Sequence, residues 1–237
     1  MKKLTLGLIA TAFLAAPAAL FMAAPAAGDT IAIIGTGGVG SALGPHFADA
    51  GHTVVYGSRT PNDADVLLVV GETGNGATAT TQVEAVKDAD IVVLAIPWAP
   101  AKDIVAELGS LDGKIIIDPI NALAFGAEKS VSVAADPSTA ELIQSWAPKA
   151  HVVKAFNTLT RAYMVDPSAA DGPITIPLAG DNDAAKATVA ALVEAMGLEP
   201  LDLGPLSHAR SLEAMGQLYV AQGYQGRTRF EFYLMPR

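Results

Sequence analysis

The sequence contains no cysteine, which excludes disulfide scaffolds, thiolate metal centres, iron–sulfur clusters and thiol nucleophiles together. Charge is scarce as well. Only 16% of the 237 residues are Asp, Glu, Lys or Arg, and 15 basic residues face 24 acidic ones. A formal net charge of −9 leaves no broad basic surface to replace the counterions of a nucleic acid or an anionic membrane. His46, His52, His151 and His208 are the only histidines and none is paired at ligand spacing, so no metal centre is expected. No G-x-S-x-G elbow occurs, which disfavours hydrolase chemistry. The hydrophobic fraction is 51%, far too high for a disordered chain, and the length suits one domain with a sizeable core.

Part of that apolar content is concentrated at the start. Lys2 and Lys3 precede an uncharged run from Leu4 to Gly28 that contains Pro17 and the small-residue site Ala24-Pro25-Ala26. Three readings stand: a signal peptide over residues 1–26, an uncleaved membrane anchor, or an untranslated segment if synthesis begins at Met22. A cleaved leader implies a periplasmic or secreted protein, and a start at Met22 a cytoplasmic one. Residues 27–237 are expected to form one domain.

Beyond the leader, short β-branched runs alternate with helix-compatible stretches, the pattern of βαβ units. Strands are expected at 30–34, 53–56, 77–80, 91–96, 114–118, 152–156, 174–179 and 199–203. Helices are expected at 39–50, 62–70, 82–87, 100–108, 138–146, 183–196 and 206–224. The helix at 183–196 is capped by Asp181 or Asn182. Residues 230–234 alternate like a final edge strand. The expected fold is α/β: a Rossmann-type, doubly wound, mostly parallel sheet with a C-terminal helical extension.

Directly after the first strand, Gly35, Gly37 and Gly40 occupy the three glycine positions of the dinucleotide fingerprint G-x-G-x-x-G. Gly35 permits the tight turn, Gly37 lets a pyrophosphate approach the backbone, and Gly40 lets the helix pack on the strand. Free N–H groups and a partial positive charge at the helix start then favour phosphate. The second strand ends in Ser58-Arg59, without the acidic residue that would bind a ribose 2′-hydroxyl. A hydroxyl beside a guanidinium suits a 2′-phosphate, so NADP is the expected cofactor. Pro97 and Trp98 follow the fourth strand, where ligands of parallel sheets lie; Trp98 reads equally as a core or lid aromatic. Asn121, after the fifth strand, and Phe156 and Asn157, after the sixth, are placed in the same way.

The motifs IAIIGTGGVGSALG, VVYGSR, ADIVVLAIPW, KIIIDPINAL and VVKAFNT together resemble the coenzyme F420-dependent NADP oxidoreductases. The resemblance continues through AGDNDAAKATVAALVEAMGLEPLDLGPL to the terminal FEFYLMPR. It implies phosphate cradling by Thr36, Gly37, Gly38 and Val39, and 2′-phosphate recognition by Ser58 and Arg59. It also implies nicotinamide-side contacts from Ile96, Pro97 and Trp98, and an acceptor pocket bounded by Asn121, Phe156, Asn157 and Met164. The implied reaction is hydride transfer between nicotinamide C4 and a deazaflavin co-substrate, which needs alignment and dryness more than an acid or base. Two departures stand out. Gly38 replaces an Asn common in the family, and the leader conflicts with a cytoplasmic reaction. The alternatives are a non-catalytic NADP-binding or sensing protein of the cell envelope, and an imine or ferric reductase on the same fold. A homodimer is a further expectation, with the 206–224 helix as core or dimer surface.

Overall fold

The computed structural model describes residues 28–228 and 230–235. The leader expectation lies outside the described residues. From the first described strand the chain alternates as expected, apart from a hairpin within 123–133 and a short helix at 161–165 that the sequence pattern does not mark. It runs through β1 (Thr30–Ile34), α1 (Gly40–Asp49), β2 (Thr53–Gly57), α2 (Ala64–Thr73), β3 (Thr78–Thr80) and α3 (Gln82–Lys87). Next come β4 (Ile91–Leu94), α4 (Ala101–Glu107), β5 (Ile115–Asp118) and a hairpin of β6 (Leu123–Phe125) and β7 (Val131–Val133). The chain then forms α5 (Thr139–Trp146), β8 (His151–Lys154), α6 (Arg161–Val165) and β9 (Thr175–Gly180). It ends with α7 (Asp183–Ala195), β10 (Glu199–Asp202) and α8 (Ala209–Tyr224).

Eight strands form one sheet in the order β10-β9-β8-β5-β4-β1-β2-β3. The six strands from β3 to β8 are parallel and have the doubly wound order of a dinucleotide-binding fold. β9 joins antiparallel to β8, and β10 returns parallel to β9 after α7. Side-chain alternation divides the core between the two faces. Ile31, Ile33, Ile91 and Val93 pack with Phe47 of α1 on one face. Ala32, Ile34, Val92 and Leu94 pack with Ala85 of α3 and Val105 of α4 on the other. Cover on both sides explains why these strands read as continuous apolar runs. Each large aliphatic side chain buried in this way contributes about 1.5–3 kcal/mol.

Local chemistry sets the ends of several helices. Asn182 caps α7 by accepting from the Ala185 N–H at 2.9 Å. Asp181, the other expected cap, instead accepts from the Leu206 N–H at 2.8 Å and fastens the approach to α8. Ser138 caps α5 by accepting from the Glu141 N–H, and its hydroxyl donates to the Glu141 carboxylate.

The expected edge strand at 230–234 is not formed. Its one backbone bond to the sheet is the Thr175 N–H donating to the Phe232 carbonyl at 2.9 Å. That position is open because β8 pairs with β9 only at Val153–Gly180 and Lys154–Ala179. The segment fills the remaining gap without running far enough to build a ladder.

Candidate functional site

β1 delivers the chain into Gly35 at φ +107, and the Gly35 N–H donates to the Gly57 carbonyl of β2 at 3.1 Å. A Cβ on Gly35 would lie 2.3 Å from the Ala95 carbonyl oxygen, and one on Gly40 would lie 2.1 Å from the Gly35 oxygen. Both positions therefore require glycine, the first for conformation and both for close backbone approach. Gly37 differs: a Cβ there would meet nothing within 4 Å. It would project into open space beside the start of α1, where a phosphate group fits against free N–H donors.

That space belongs to a cleft of about 420 Å³ at the carboxyl ends of β1, β2 and β4. Its walls are Gly35, Thr36 and Gly37, then Gly57, Ser58 and Arg59, then Ala95, Ile96 and Pro97, with Pro100, Ile104 and Glu107 from the α4 side. Ser58 is fixed by its N–H donating to the Thr80 carbonyl at 2.9 Å. Its Oγ accepts from the Thr60 N–H at 3.1 Å, which leaves the hydroxyl proton free to donate into the cleft. Arg59 is exposed and has no hydrogen-bonded or ionic partner among the described residues. A second hollow of about 420 Å³ adjoins it, and Asp63 and Asp65 share that hollow with Arg59 without pairing to it. Behind the cleft, Tyr56 crosses α1 at Gly44, and its buried hydroxyl bonds the Thr73 hydroxyl at 2.7 Å. Burial raises the Tyr56 phenol above its ordinary value, so it remains a neutral strut between β2 and α2.

The other expected site residues disperse. Trp98 stacks on Trp146 with ring centroids 5.7 Å apart and does not line the cleft. Gly38 faces the side chain of Arg161, and Val39 is the residue preceding α1. Phe156 is 1% exposed, has φ +63 and meets Phe47 edge-to-face at 6.4 Å, so it is core and bounds no open pocket. Met164 is likewise buried in that core. Asn121 and Asn157 bond each other: the Asn121 amide donates to the Asn157 carbonyl at 2.6 Å, and the Asn157 amide to Asn121 Oδ1 at 3.0 Å. Asn157 also donates to the Leu212 carbonyl at 2.8 Å, tying both loops to α8. The open hollows on this side measure about 330 and 250 Å³ and share Thr160 and Tyr219. Phe125 and Tyr224 line the first, Tyr163 and Phe230 the second.

A buried ionic cluster escaped the sequence reading. Lys154 Nζ contacts Asp118 Oδ2 and Glu213 Oε1, each at 3.1 Å, and donates to the Ile120 carbonyl and to Thr139 Oγ1. Opposite charges ending two apolar strands, KIIID and HVVK, were the available signal.

Three comparisons bear on this geometry. Residues 30–122 match the family described as NADP oxidoreductase, coenzyme F420-dependent. A crystal structure of a candidate F420-dependent NADP reductase from Arthrobacter sp. FB24 is 30% identical, with a TM-score of 0.78. The match covers 88% of this chain and 100% of that one. The chain belongs to the coenzyme F420-dependent NADP oxidoreductase family. Among curated members of the wider group, the F420-dependent NADP reductase of Methanothermobacter thermautotrophicus is 28% identical over 84% of this chain and 91% of that protein. Metalloreductase STEAP3 of Rattus norvegicus is 31% identical over 81% of this chain, which spans only 37% of the metalloreductase. The protein is accordingly an NADP-dependent oxidoreductase by family, with the cleft at the fold's customary dinucleotide position.

Proposed function

We propose that the protein exchanges hydride between NADP(H) and coenzyme F420 or a small acceptor of deazaflavin type. The observation that carries this reading is coverage. The Methanothermobacter reductase and the Arthrobacter structure match along 91% and 100% of their lengths, a further F420-dependent NADP reductase along 67%, and the metalloreductase along 37% of its own. In this reading the N–H groups of Thr36, Gly37, Gly38 and Val39 hold the pyrophosphate. Ser58 donates its free hydroxyl proton to the 2′-phosphate, and Arg59 grips the same group through its N–H fork. Ile96 and Pro97 supply the apolar wall for the nicotinamide. When bound, the nicotinamide supplies the hydride, and the protein's part is to align the rings and exclude water. We assign the acceptor side to the aromatic hollows around Thr160 and Tyr219. Thr160 precedes Arg161, whose side chain lies on the glycine loop.

The test is steady-state reduction of F420 by NADPH, followed by loss of the deazaflavin absorbance. Turnover supports the reading; NADPH binding without hydride reaching F420, alongside turnover of an imine or ferric acceptor, overturns the acceptor assignment. Arg59→Ala should weaken NADPH binding roughly 10- to 150-fold, the range for a lost hydrogen bond to a charged group, and leave NADH binding unchanged.

A further inference from the structure

We infer that Arg161 is a second phosphate-binding residue of the cofactor site, closing over Gly38 onto the pyrophosphate. The inference rests on the NADP reading of the cleft and adds a residue from α6, a different part of the chain.

α6 lies along α1, and the bond between His46 Nε2 and the Val165 carbonyl, at 3.2 Å, fixes its far end. Its first residue therefore lies beside the start of α1. Arg161 Cδ is 3.2 Å, and Nε 3.6 Å, from where a Cβ on Gly38 would be. Gly38 holds none of the three fingerprint positions, and its φ is not one that demands glycine. What its missing side chain provides is room for Arg161. A Cβ at 3.2 Å would make the arginine stem give way by a few tenths of an ångström.

A pyrophosphate brings two negative charges, yet no Lys or Arg occurs between Gly35 and Ser58. Backbone dipoles alone face it from α1. Arg59 stands at the 2′-phosphate end and shares its hollow with two carboxylates. Arg161 is exposed and has neither a hydrogen bond nor an ion pair with any described residue. Lys149, Lys154, Lys186 and Arg210, by contrast, are all engaged with carboxylates. A free guanidinium held against a phosphate loop is suited to bidentate contact with phosphate oxygens.

The experiment titrates the full-length protein and its variants with NADP+, with ADP-ribose, which has the pyrophosphate but no 2′-phosphate, and with adenosine 2′-monophosphate, which has the reverse. Arg161→Gln should weaken NADP+ and ADP-ribose roughly tenfold each and leave the 2′-monophosphate unchanged, with Arg161→Lys recovering part of the loss. Arg59→Gln should show the opposite pattern, weakening NADP+ and the 2′-monophosphate only. Unchanged NADP+ affinity in Arg161→Gln, or equal loss of all three probes, overturns the inference. A wild-type protein that binds neither NADP+ nor ADP-ribose overturns the cofactor reading itself.

Discussion

Lys154 and Asp118 are register partners at the carboxyl ends of β8 and β5, with Nζ and Oδ2 3.1 Å apart and both side chains closed to solvent. Glu213 of α8 is the third member, 1% exposed, and its Oε1 accepts from both the N–H and the hydroxyl of Thr139 at 2.7 Å. One ammonium thus holds two buried carboxylates and fastens the last helix to the sheet. Removing the cation leaves both anions in a dry site. Lys154→Met should therefore cost about 3–5 kcal/mol of stability, read from chemical denaturation. Glu213→Gln keeps an acceptor oxygen and removes the surplus charge, so its cost should stay below about 1.5 kcal/mol. Equal losses would show that the Glu213 charge itself is required.

The glycine loop separates stability from binding. Gly35→Ala forces a side chain into φ +107 and against the Ala95 carbonyl, so about 1–3 kcal/mol of strain is expected in thermal unfolding. Gly37→Ala meets no protein atom and should leave the melting temperature unchanged. Its methyl group occupies the proposed phosphate position, so NADPH affinity should fall roughly tenfold or more. Normal affinity in Gly37→Ala would remove the phosphate from that position.

The parts legible in sequence were those fixed by local chain geometry. Gly35 needs its φ whatever surrounds it, and the Ser58-Arg59 pair follows from its place at a strand end. Trp98, Phe156 and Asn157 were read by the same strand-end logic, and tertiary contacts took them elsewhere: to Trp146, Phe47 and Leu212. No local rule encodes those partners. Strands β6 and β7 are three residues each, too short to show a period, whereas residues 230–234 show one but meet only the short stretch of β9 that β8 leaves unpaired. Arg161 was invisible for the same reason as the buried cluster. Its meaning lies in Gly38, 123 positions away in the chain.

Acid should loosen the attachment of α8 to α5. Arg210 grips Glu141 through two bonds, Nε to Oε2 at 2.9 Å and a terminal nitrogen to Oε1 at 2.7 Å. The guanidinium holds the Glu141 carboxyl below its ordinary value of 4.5. A depressed folded pKa gives stability that is present above the unfolded value and lost as pH falls through the folded one. Melting temperatures should therefore decline below about pH 4.5, and Glu141→Gln should flatten part of that limb, by at most about 1 kcal/mol. Asp202 contributes in the same direction. Burial pushes it up, but the Lys186 ammonium and the Gly204 N–H outweigh that and hold it low. An unchanged acid limb in Glu141→Gln would remove this pair from the account.

The chain has two tryptophans, Trp98 and Trp146, and they stack on each other at an interplanar angle of 18°. Trp98 lies directly after Pro97 of the cleft wall, so a dinucleotide seated there comes close to the pair without displacing it. Indole emission should consequently change when NADPH binds, giving a direct titration signal. Because Trp98 is committed to Trp146, Trp98→Phe keeps an aromatic face in the stack. It should alter NADPH affinity less than about threefold and cost no more than about 1 kcal/mol of stability. Trp146→Ala removes the support instead, and Trp98 is then free to turn toward the cleft. A loss of affinity in Trp98→Phe as large as that in Arg59→Ala would show that the indole contacts the nicotinamide after all, as the position after the fourth strand first suggests.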